Sequence, residues 1–182
     1  AWHGAPETFP RRRGGHLHGM NRDLIATYLN DHLAAATAGV ELIRRAAGNH
    51  DGDRGVQLGE LADEIAEDRE ALRDLMKRLE VPESTVKKAA GWLSEKAGRL
   101  KPNDHLVTRS PLSDVLEIEM LRAGTAARIC GFQVLRAIAV EDGRLSREEL
   151  EHLIERADDQ AERLYKIHLQ LAQENLAEQQ VG

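Results

Sequence analysis

Four side chains in this chain of 182 residues have the types and spacing to act together. His32 interrupts the apolar helical pattern of "YLNDHLAAATAGVELIRR" (28–45), and Asp158 lies in "RADDQ" (156–160). Glu64 and Asp68 stand one helical turn apart in "ELADEIAEDRE" (60–70), which puts both on one helix face. An imidazole with two or three carboxylates is a ligand set for a divalent cation, and Cys130 could add a thiolate. A packed core also tolerates the set without metal, because a buried carboxylate needs only to be paired. A charge-assisted His–Asp hydrogen bond does that. The expectation is therefore a structural pair, His32 with Asp68. A metal site on His32, Glu64, Asp68 and Asp158 is the alternative. Asp31, one residue around the helix, is expected at the flank, paired with Arg69 or Arg156.

The elements that must position these residues are four long helices. The spacing of Ile25, Leu29, Ala36, Val40 and Ile43 predicts a helix over about 22–47 with Asn21 as N-cap. "GNHDGDRG" (48–55) reads as a turn with Asp53 as the next cap; it lacks the ligand spacing of a calcium loop. A second helix over about 54–80 carries Leu58, Leu61, Ile65, Asp68, Leu72, Leu75 and Leu79 on one stripe, and Pro82 ends it. Ser110 and Pro111 open a third, to about Val140. Its expected inner face is Leu116, Met120, Ala123, Ala127, Val134 and Ile138, widened by Leu112, Val115, Ala126, Ile129 and Cys130. This helix is expected to be the most buried, with Cys130 as a small hydrophobe. After "EDGR" (141–144), Ser146 and Glu149 form a capping-box pattern. The fourth helix then runs to about Ala177 on Leu150, Leu153, Ala157, Ala161, Leu164, His168 and Leu171.

No segment alternates as a strand would, so the fold class is all-α. The connection 81–110 is far longer than an antiparallel helix turn requires. Within it "ESTVKKAAGWLSEKAG" (83–98) can form a short helix with Val86, Ala89, Ala90 and Leu93 inward and Trp92 beside them. Short, long and short connections wire a four-helix bundle with one crossover, running up-down-down-up. At a rise of ~1.5 Å per residue, His32 and Asp68 then reach similar heights, with Cys130 and Asp158 near them. Nearer the other end Glu119, His168 and Arg44 or Arg45 are expected to form a salt-bridge cluster that fixes helix register.

Composition narrows the function classes. A formal net charge of −6 disfavours general nucleic-acid binding, which draws on phosphate neutralisation. No run approaches the roughly 18 apolar residues that span a bilayer. The single cysteine allows no intrachain disulfide and fits a reducing compartment. A cytoplasmic location is expected. Residues 1–19, "AWHGAPETFPRRRGGHLHG", show no periodicity and read as a disordered leader or tag, leaving 20–178 as the bundle.

The segments "YLNDHLAAATAGVELIRR", "EIAEDREALRDLM", "GWLSEKAGRLK" and "RSPLSDVLEIEML" resemble the ferritin-like superfamily, and an uncharacterised bacterial family placed near that fold. The resemblance covers about 22–175 and implies the architecture. In di-iron members, one Glu comes from each of two helices and a Glu-x-x-His pair from each of the other two. Here Glu67 is followed by Glu70 rather than His. His152 follows Glu149 but lies in the first turns of its helix, and His168 follows Tyr165. The di-iron motifs are not matched, so iron storage and oxygen activation are not expected.

These readings converge on a non-catalytic ferritin-like bundle acting as an interaction or dimerisation module. A homodimer or protein partner is expected, with no nucleic acid, no membrane and no cofactor. The alternative is a protein binding iron, manganese or zinc at the non-standard site above. A third option is a small apolar ligand held between helices.

Overall fold

A computed structural model of the chain describes residues 21–84, 110–140 and 142–177. These form four helices: α1 (Arg22–Gly48), α2 (Gly52–Arg78), α3 (Pro111–Ile138) and α4 (Arg147–Leu176). No strand occurs among the described residues. The expected leader (1–19) and the expected short helix near Trp92 lie outside them. None of the described helices is long and apolar enough to cross a membrane.

Each helix begins and ends for a local reason. The Asn21 side chain accepts a hydrogen bond from the Leu24 amide at 3.3 Å. Asp51, not Asp53, is the N-cap of α2, and Asp53 lies in its first turn. Gly55 lets the turn close. A Cβ there would lie 2.2 Å from the His50 carbonyl oxygen. At the end of α2, Glu80 takes φ 58. Its amide donates to Lys77 O and the Val81 amide to Met76 O, which is a Schellman closure with Val81 and Met76 both in the core. Ser146 Oγ accepts from the Glu149 amide at 3.2 Å. The Glu149 carboxylate, however, takes both guanidinium nitrogens of Arg78 at 2.6 and 2.7 Å, so only half of the expected capping box forms.

Four helix pairs are neighbours: the α1/α2 and α3/α4 hairpins pack most closely, α1 and α3 less so, and α2 and α4 least of the four. The core falls into two apolar clusters. One joins Leu29 and Leu33 of α1, Leu72, Leu75 and Met76 of α2, Phe132 and Leu135 of α3, and Leu150 and Leu153 of α4. The other joins Val40 and Ile43, Leu58 and Leu61, Val115 and Ile118, and Leu164 and Ile167. The beginnings of α1 and α4 thus share an end of the core with the ends of α2 and α3.

The faces of α1, α2 and α4 largely follow the expected stripes, with Ala36, Ala161 and His168 half-buried rather than buried. α3 does not. Val115, Ile118, Leu121, Thr125, Phe132 and Leu135 point into the bundle. Leu116, Met120 and Ile138 are half-buried, whereas Ala123, Ala127, Cys130 and Val134 are exposed. α3 is apolar on two faces, and periodicity cannot say which of them meets the other helices. The expected packing of Cys130 as a buried hydrophobe is corrected by its exposure.

Candidate functional site

A polar layer separates the two apolar clusters. Asp68 on α2 is fully buried, as is Gln160 on α4, with Thr125 of α3 nearly so. Arg156 of α4 binds Asp68 Oδ1 through Nε at 2.8 Å and again through Nη2. Arg128 of α3, its side chain 10% exposed, brings Nε within 3.4 Å of Asp68 Oδ2. Arg128 also donates to Gln160 Oε1 at 2.5 Å, and Gln160 Nε2 donates to Glu64 at 3.3 Å. Arg163 closes on Glu64 at 2.8 Å, and Arg156 reaches Glu67 at 3.1 Å. Long guanidinium side chains therefore fill the space between α2 and α4, which accounts for the wide separation of those helices.

The expected His32–Asp68 pair does not form. Both residues line the same cavity, but Asp68 Oδ1 is hydrogen-bonded to Arg156 and Oδ2 faces Arg128 Nε as an ion pair without a hydrogen bond. The physical reason is charge. Burial lowers the His32 pKa below its ordinary 6.5, only partly opposed by Asp31, so the imidazole is neutral at neutral pH. A fully buried carboxylate needs a full countercharge, and a guanidinium supplies one. Burial also lowers the Arg128 pKa, while the Asp68 charge acts to restore it.

The other candidates disperse. Glu64 is half-buried and faces Arg163, while Asp158 is exposed on α4. Among the described residues no three His, Cys, Asp or Glu side chains converge on a cation. Asp31 is exposed, and its expected partners are engaged elsewhere, Arg69 with Glu70 and Arg156 with Asp68. The second cluster is shifted by two residues. Glu117, not Glu119, is buried and meets Arg45 at 3.1 Å. His168 accepts on Nδ1 from Arg122 at 2.6 Å, and Arg122 also lies over the Tyr165 ring.

His32 belongs to the α1–α3 contact. Its ring lies 4.5 Å, centroid to centroid, from the Tyr28 ring. It presses on Gly131 so closely that a Cβ there would stand 2.9 Å from Nδ1. Around this contact α1 and α3 border a cavity of about 350 Å³ whose lining extends from Leu29 and Leu135 to Leu42 and Met120. Ala35, Ala36 and Gly39 form one wall, Ala123, Gly124 and Ala127 the other, and Ile65, Asp68 and Leu72 of α2 the floor. Small side chains on both walls leave this space.

Arg128 and Gln160 were not legible as site residues from the stripe pattern. One signal was present: Arg156, Gln160 and Arg163 recur at four- and three-residue steps on α4, and on α2 Glu67 and Asp68 follow Glu64 by three and four residues. Two helices carrying such complementary rows can face each other.

No family model, curated protein or solved structure matches the chain.

Proposed function

We propose that this protein is a non-catalytic helical-bundle module that acts by binding, and that it engages its ligand or partner through the groove between α1 and α3. The observation that carries this reading is the apolar cavity itself, bounded by small residues and by the second apolar face of α3. The charged groups of the polar layer neutralise one another, which gives that layer a structural rather than a chemical part. We also read the bundle as ferritin-like and up-down-down-up, with 81–110 as its crossover; the shared core end of α1, α4 and the ends of α2 and α3 supports this.

The test is a charge placed on the groove wall. Gly124 is exposed on α3 and has open space around it, so Gly124→Glu leaves room for the fold. The reading expects this variant to keep the parent melting behaviour and to lose either self-association, by sedimentation, or uptake of a neutral apolar dye. A variant that keeps every association property of the parent refutes it. Metal analysis of the full chain probes the alternative: stoichiometric iron, manganese or zinc that is lost in His32→Ala and Asp68→Ala would replace this reading.

A further inference from the structure

Resting on the binding-module reading, we infer that the partner on the α1/α3 face is a second copy of this chain, related by a two-fold axis at the level of Thr125 and Ala38 that sets α3 antiparallel to α3 and α1 antiparallel to α1.

The spacing along α3 is the first argument. Its second apolar face runs from Leu112 to Ile138 in steps of 4, 4, 3, 4, 3, 4 and 4 residues, a series that reads the same from either end. Its members are exposed or half-buried. The midpoint is position 125. A two-fold axis there sets Leu112 opposite Ile138 and Leu116 opposite Val134 of the second copy. Nearer the axis Met120 faces Cys130, and Ala123 faces Ala127. Larger side chains therefore meet toward the helix ends, and the smallest meet where the helices cross the axis. An isologous contact needs a surface that complements itself under this rotation. An unrelated partner imposes no such symmetry on the spacing.

Charge is the second argument. The level of α1 against α3 is fixed by contacts within the chain. His32 lies against Gly131, Arg45 meets Glu117 at 3.1 Å, and His50 meets Asp114 at 4.0 Å. By these contacts position 125 of α3 is level with Ala38 of α1. The same axis then brings Asp31 of one copy level with Arg45 of the other. Asp31 is exposed, and the Arg45 side chain keeps 54% exposure beside Glu117. Opposite charges thus meet twice, on either side of a small, uncharged centre at Ala35, Ala38 and Gly39.

The face is also large enough. Two helices of this length span roughly 20 by 40 Å. That is on the order of 800 Å² per copy, the size of a standard stable interface. Asp68, at the base of the groove, has no exposure, so the second copy meets only the rim.

The test uses the full chain and its one cysteine. Under this axis the two Cys130 thiols lie roughly 15 Å apart along the helices, so mild oxidation should leave the parent uncoupled. In Met120→Cys the new thiol faces Cys130 of the second copy, and the same oxidation should give a disulfide-linked dimer. Asp158→Cys, exposed on α4, should give none. Sedimentation should show a concentration-dependent dimer of the parent. Ala123→Arg sets two like charges beside the axis and should weaken it at least about 100-fold. Asp31→Lys sets a cation against Arg45 and should weaken it about tenfold, less so in high salt. Both positions are exposed, so neither variant should change the melting behaviour. A parent that stays monomeric up to about 1 mM overturns the inference; residues 85–109 seated on the face would give that result. A dimer that withstands Ala123→Arg overturns it too, as does a parent that couples as fast as Met120→Cys. If the chain stays monomeric yet takes up an apolar dye that Gly124→Glu loses, this inference fails while the binding-module reading stands. If it neither associates nor takes up dye, both fail.

Discussion

Asp68 of α2 and Arg156 of α4 are joined through two nitrogens of one guanidinium, in a layer where the carboxylate is fully buried and Arg128 approaches its other oxygen. The pair spans the least closely packed of the four neighbouring helix pairs, and it lies between the two halves of the apolar core.

Removing one member of this layer should therefore be costly. Asp68→Ala leaves Arg128 and Arg156 without their shared countercharge and is expected to cost about 3–5 kcal/mol in urea unfolding. The double variant Asp68→Leu/Arg128→Leu should recover much of that loss, because it removes charge from both sides of the buried pair. A loss below about 1 kcal/mol for Asp68→Ala would show that the layer is hydrated rather than buried.

Gly131 and His32 should be coupled with a change of sign. In the parent, a Cβ at Gly131 would press into the imidazole, so Gly131→Ala is expected to destabilise by about 1 kcal/mol despite the better helix former. With His32→Ala already in place the obstacle is gone, and Gly131→Ala should stabilise by about 1 kcal/mol through helix propensity alone. Equal effects in the two backgrounds would mean that the ring moves aside freely.

Two α2 glycines should respond in opposite directions. Gly55→Ala would place Cβ against the backbone oxygen of His50, which has no rotamer to yield, and is expected to cost about 2 kcal/mol. Gly59 has open space around it, so Gly59→Ala should add about 1 kcal/mol. Thermal melts of the two single variants decide the point, and a shared sign would refute it.

His32 should make stability depend on pH. It is packed with Tyr28, beside Asp31 on its own helix, and it shares its cavity with Asp68 of α2 and Arg128 of α3. Burial lowers its pKa, so the folded protein binds this proton more weakly than the unfolded chain. Its contribution is complete above the ordinary imidazole value of 6.5 and is lost as pH falls below it. His32→Leu should flatten that part of the profile. Asp142 titrates in a separate window. Its hydrogen bonds from Arg144 lower its pKa to about 2, so its contribution is present above 3.8 and fades as pH falls toward that value. Parent and His32→Leu profiles of the same slope between pH 5 and 7 would contradict the assignment to His32.

Much of the molecule was determined by local sequence. Asn21, Ser110 with Pro111, and Ser146 mark helix starts as their types predict, and the stripes of α1, α2 and α4 point inward as their spacing requires, whereas α2 ends at the Glu80 turn ahead of Pro82. These features depend on neighbours one turn away, which a linear pattern records. Tertiary structure decided the rest. α3 is apolar on two faces, so only packing could select the one carrying Ile118 and Phe132 and leave the other along the groove. Asp68 was legible as a buried acid needing a partner, but the partner was not. Guanidinium side chains reach across helix pairs that do not pack closely, and a buried charge takes the strongest countercharge within reach rather than the nearest polar residue in the stripe.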